Sequence, residues 1–144
     1  MENKEAVLVL DGAKVGAPVP DVGVTTAPSF SPDNSRVGFM TVTGGHLYLE
    51  GYTNRARRRV VVDGRAGTEY NALGLYDFQF SPDSKHFAYG VMGLEKAGSL
   101  VVLDGAEGKR YDFVYPGTVK ISSDAVCYVA RVGPRFVKVV QAIP

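Results

Sequence analysis

Three Asp-Gly pairs, each closing a short apolar run, constrain this chain more than any other feature. VLVLDG ends at Gly12, VVVDG at Gly64 and LVVLDG at Gly105, with the aspartates 52 and 41 residues apart. An apolar, β-branched run reads as a strand, and glycine supplies the positive φ that a tight primed hairpin turn needs. A second element keeps step: FSPD at Phe30–Asp33, FSPD at Phe80–Asp83 and ISSD at Ile121–Asp124, with aspartates 50 and 41 residues apart. The later copies align without a gap from Val60 to Asp83 at an offset of 41, with eight of 24 positions identical. Identity of that size at turn and core positions marks an internal repeat.

A third element follows each turn: RVGFMTV (Arg36–Val42), HFAYGVM (His86–Met92) and AVCYVARV (Ala125–Val132). Large residues alternate with small ones, which is the period of a strand. Gly38, Ala88 and Cys127 lie between the large residues and predict a face pressed against a neighbouring sheet. Each unit is therefore expected to hold four strands, as in YDFQFS, HFAYGVM, SLVVLD and KRYDFV. No segment carries a 3.6-residue period. The fold class expected is all-β, a single repeat domain over 1–144 made of four-stranded antiparallel units, about three per chain. The first complete unit is nine residues longer than the next, and the extra length falls in GGHLYLEGYTNRARRR, predicted to be a projecting hairpin or loop.

These motifs resemble the WD40-like repeat of TolB-type β-propellers. Phe30–Phe39 and Phe80–Tyr89 carry the F-S-P-D half of the pattern; Val61–Gly67 and Val102–Gly108 carry the V-V-x-D-G-x-x-G half. The third copy departs from it, with Ser123 in place of proline and a turn two residues shorter. The resemblance covers roughly residues 7–141 and implies blades around an axis, about 4–8 in a ring. Three units fall short of such a ring, so a half-propeller completed by a second chain, or a piece of a longer one, is the expectation.

Bulk properties narrow the function classes. The formal net charge of +1 argues against a dedicated nucleic-acid or membrane-surface protein. No stretch approaches the ~18 apolar residues of a membrane span, and the first residues lack the shape of a signal peptide. Cys127 is the one cysteine, so no intrachain disulfide forms. A cytoplasmic location is favoured, without being fixed by the sequence.

Few residues suggest chemistry. Asp11, Asp63 and Asp104 repeat with the fold and are expected to satisfy backbone donors in turns, as are Asp33, Asp83 and Asp124. His46 and His86 lack metal-ligand spacing, and no calcium-loop or G-x-S-x-G motif occurs, so no metal or cofactor is expected. Cys127 is expected to be a buried small apolar residue. In the innermost strands, Asp77 and Gln79 alternate with Tyr76, Phe78 and Phe80, and Thr118 and Lys120 with Val119 and Ile121. These four polar residues are the candidate channel or ligand contacts. Arg55, Arg57, Arg58 and Arg59 form the one charge cluster, a candidate contact for an anionic partner.

Two functions follow. The first is a non-catalytic binding or scaffold module for a protein or small ligand, with self-association as a homo-oligomer. The second is a hydrolase or lyase using a channel site, which would need acid, base and nucleophile brought together from different units.

Overall fold

In a computed structural model of the chain, each Asp-Gly pair closes a two-residue hairpin. Asp11, Asp63 and Asp104 take φ near +50°, and the glycines after them take φ of 77° to 85°. Two consecutive positive φ values define the primed turn that the motif predicted. Residues 6–19, 24–25, 27–43, 47–48, 51–52, 57–94 and 98–144 are described.

The described chain is built of antiparallel strands in successive sheets. The first sheet pairs β1 (Ala6–Leu10) with β2 (Ala13–Val19). The second begins with two short segments, β3 (Val24–Thr25) and β4 (Ser29–Phe30), both paired with β5 (Val37–Thr43). A small hairpin of β6 (Leu47–Tyr48) and β7 (Gly51–Tyr52) follows. Then β8 (Arg57–Val62) pairs with β5, and its other edge carries β9 (Arg65–Ala66) and β10 (Tyr70–Asn71). The third sheet is a meander of β11 (Gly74–Phe80), β12 (Phe87–Met92), β13 (Leu100–Leu103) and β14 (Ala106–Glu107). In the fourth, β15 (Phe113–Val114) and β16 (Lys120–Ile121) share one edge of β17 (Ala125–Val132), and β18 (Arg135–Ala142) takes the other.

The expected fourth strand at KRYDFV divides between two sheets. Tyr111 bridges Ser99 in the third sheet, whereas Phe113–Val114 have already joined β17 in the fourth. The segment that ends one sheet thus opens the next.

The third sheet is packed on both faces. Tyr89, Val91, Leu100 and Val102 form one core with Val60, Val62, Tyr70 and Ala72 of the second sheet and its outgoing segment. Ala88, Val101 and Leu103 form another with Val114, Val119, Val126, Tyr128 and Ala130 of the fourth. Each fully buried valine or leucine among them stabilises the fold by about 1.5–3 kcal/mol. Two of the small residues act as expected: Phe78 of the third sheet covers Gly38, and Ala88 is fully buried; Tyr76 covers Gly90 on the same strand as Ala88.

One strand breaks the strict alternation that its sequence suggests. Between Tyr76 and Gln79 the pairing with β12 shifts register, and Asp77 takes φ +56°. This β-bulge turns Tyr76 toward the fourth sheet and leaves Phe78 and Phe80 facing the second.

Candidate functional site

The turn between the first two strands of a unit is held by its serine. Ser31 and Ser81 are buried; each donates its hydroxyl to the aspartate two residues on and accepts the amide five residues on. Asp33 also accepts the Ser35 amide and hydroxyl. These bonds, from Ser35 above all, hold the Asp33 carboxyl well below the usual carboxylate range. The Ser81 hydroxyl is the leading cause of the same lowering at Asp83. In the third copy, Ser122 Oγ accepts from the Asp124 and Ala125 amides, so the shorter turn keeps the serine as its hub.

At the start of each unit's second strand, beside that turn, the Asp of Asp-Gly forms a clamp. Asp63 accepts the Val37 amide on Oδ1 and the Arg36 Nε on Oδ2 at 2.9 Å. Asp104 accepts the Phe87 amide on Oδ1 and sits 2.6 Å from His86 Nδ1 through Oδ2. Arg36 and His86 hold matching places, each immediately before its strand. Arg36 reaches further, donating to the Ser84 and Lys85 carbonyls and lying over the Phe80 and Phe87 rings. It therefore ties the second sheet to the third.

These clamps border an inter-sheet cleft of about 540 Å³. Val60, Val62, Phe87 and Tyr89 form apolar wall, and Arg36, Asp63, Arg65 and Asp104 supply charge of both signs. Arg65 is exposed at the start of β9. The volume lies within the range of small-ligand pockets, about 300–1,000 Å³. The sequence hinted at this site only through the repeated aspartates; Arg36 and Arg65 carry no motif.

The four candidate channel residues lie elsewhere, along the seam of the third and fourth sheets. Asp77 accepts the Gly117 amide at 2.6 Å and the Val119 amide at 3.3 Å. Gln79 accepts from the Ile121 amide and donates to the Val119 carbonyl, as a paired strand residue would. Thr118 donates to the Tyr115 carbonyl and accepts the Val129 amide, spanning the gap between β15 and β16. Lys120 is exposed on β16. The first three thus spend polar capacity on backbone partners, and they are not brought together with the cleft.

Arg57, Arg58 and Arg59 of the arginine cluster begin β8. Arg59 pairs with Glu69 at 2.8 Å, Arg57 lies 3.9 Å from the same carboxylate, and Arg58 donates to the Ala72 carbonyl. Arg55 and His46 lie outside the described residues. Cys127 departs from its expected burial and is only half-buried, on the face of β17 that it shares with exposed Val140 of β18.

Among the described residues, no three His, Cys, Asp or Glu side chains are grouped to hold a metal ion. No helix there is long and apolar enough to cross a membrane. His86 has a carboxylate partner, but no serine, threonine or cysteine side chain among the described residues bonds its ring. In comparisons with known proteins, no family model, curated protein or solved structure matches this chain.

Proposed function

We propose that the chain is a non-catalytic binding module of β-propeller type, its successive sheets acting as blades and the cleft between the second and third as its ligand seat. The observation that carries this reading is the repeated clamp. Arg36–Asp63 and His86–Asp104 occupy equivalent places and each secures a strand start, so the groups best suited to chemistry serve the architecture. The blade reading draws support from the order of the sheets: the second packs on the third and the third on the fourth, and each sheet is followed in the chain by the next. The cleft's apolar wall and exposed Arg65 suit a small ligand or peptide end that carries an apolar group beside a carboxylate.

The test is a titration with small aromatic carboxylates and short peptides with free C-termini, followed by calorimetry. Saturable heats that disappear in Arg65→Glu are expected. Absence of binding across the series would overturn the cleft assignment. The hydrolase alternative predicts instead that reporter esters turn over and that His86→Ala abolishes the turnover.

A further inference from the structure

The packing that joins the sheets is left open at both ends of the described stack. In the second sheet Val62 stands opposite Gly38, and in the third Leu103 stands opposite Ala88. Both are buried against the sheet that follows, with 7% and 6% exposure. The same register in the fourth sheet sets Val140 opposite Cys127, but Val140 is 61% exposed. Phe136, four residues earlier on the same face of β18, is 71% exposed. Val129, between Cys127 and Arg131, continues this face on β17.

The first sheet carries the other half of such an interface. Val61 and Val102 stand two residues before their Asp-Gly pairs and are fully buried. Val102 packs toward the preceding sheet, in one core with Val60 and Tyr70. Val9 holds the same place before Asp11, yet it is 55% exposed, with Val7 beside it at 40%. Among the described residues, the chain therefore leaves exposed a donor face and an acceptor face of the kind it buries twice internally.

We propose that a second copy of this chain docks end to end, the Val7–Val9 face of one copy seating on the Val140–Phe136 face of the next. This goes beyond the cleft reading and stands without it, because the end faces share no residue with the cleft. The contact is heterologous, so it closes into a ring where the rotation allows and grows as an open chain where it does not. Basic residues stand on both faces: Lys14 pairs with Val9, Lys120 with Cys127, Lys138 with Val129 between Val140 and Phe136, and Arg131 with Phe136. Apolar burial drives the association while these like charges oppose it, so added salt strengthens it.

Light scattering on the intact chain tests this. At high micromolar concentration the mass should exceed the 15.5 kDa of one chain, and more so as salt is added. Val9→Glu and Val140→Glu should each be monomeric, because each spoils one face. Their equimolar mixture should recover a species of two chains, joined through the two intact faces. A wild-type monomer throughout would overturn the proposal. So would a Val9→Glu variant that still assembles, a mixture that does not pair, or association weakened by salt, which would point to an acidic protein partner. Thermal melts control for folding. Should a glutamate variant lose its cooperative melt, the valine-shaped Val9→Thr and Val140→Thr replace it under the same criteria.

Discussion

The ring of Tyr76 fills the space that a side chain at position 90 would occupy. A Cβ on Gly90 would lie 2.4 Å from Cε2 and Cζ of that ring, inside any tolerable contact. The ring has little freedom to withdraw, since its hydroxyl donates to the Val114 carbonyl of the fourth sheet at 2.7 Å. Gly90→Ala must therefore push apart two packed sheets. We expect it to lower stability by about 1–3 kcal/mol, read as a drop in the denaturation midpoint. Tyr76→Phe in the same background should give little relief, because the ring and not the hydroxyl makes the clash. A Gly90→Ala variant as stable as the parent would rule out this packing.

Asp77 supports a second prediction. Its carboxylate takes two amides of the neighbouring sheet, and its backbone lies in the left-handed region. Asparagine keeps an acceptor oxygen and tolerates that backbone, whereas alanine does neither. Asp77→Ala should cost about 1–3 kcal/mol, and Asp77→Asn should stay close to the parent. Equal losses in both variants would show that the seam depends on charge and not on an acceptor.

Much of this architecture was legible in the residues, and what was not has a common cause. The Asp-Gly turns and the serine-hubbed SPD turns are local, so a few adjacent residues specify them. The alternation around Tyr89 and Ala88 likewise announced a strand with a face pressed against a neighbouring sheet. The bulge at Asp77 did not show, because Tyr76, Phe78 and Phe80 read as one apolar face until the register with β12 is known. The backbone partners of Asp77 and Gln79, Gly117 to Ile121, did not show either, because they lie some forty residues along the chain. The reach of Arg36 to Ser84 and Lys85 is equally non-local.

Arg36 supplies a third prediction through that reach. Its guanidinium bonds Asp63, two carbonyls of the third sheet's turn, and two ring faces at once. A lysine ammonium is a compact point charge that lacks this planar fork. Arg36→Ala should lower stability by about 1–3 kcal/mol, and Arg36→Lys should recover only part of it. Hydrogen exchange should locate the loss at the turns around Asp33 and Ser84. Full recovery with lysine would reduce Arg36 to a simple counter-charge for Asp63.

The titrating groups set a stability plateau with two flanks. Asp33 and Asp83 are held below their ordinary value of 3.8 by turn hydrogen bonds. A depressed carboxyl contributes stability above its unfolded value, and the contribution fades as pH falls through the folded one. Stability should therefore decline below about pH 4. Ser35 is the largest cause at Asp33, so Ser35→Ala should lessen the decline there. On the alkaline side, burial raises the phenols of Tyr70, Tyr76 and Tyr128, and pushes Tyr89 up to about 12. A raised phenol contributes stability below its unfolded value, near 10, and loses it as pH climbs through the folded value. Phenolate absorbance should consequently rise in step with loss of the β-sheet circular dichroism signal. Ionisation of these four tyrosines near pH 10 with the sheet signal intact would mean that water reaches both cores of the stack.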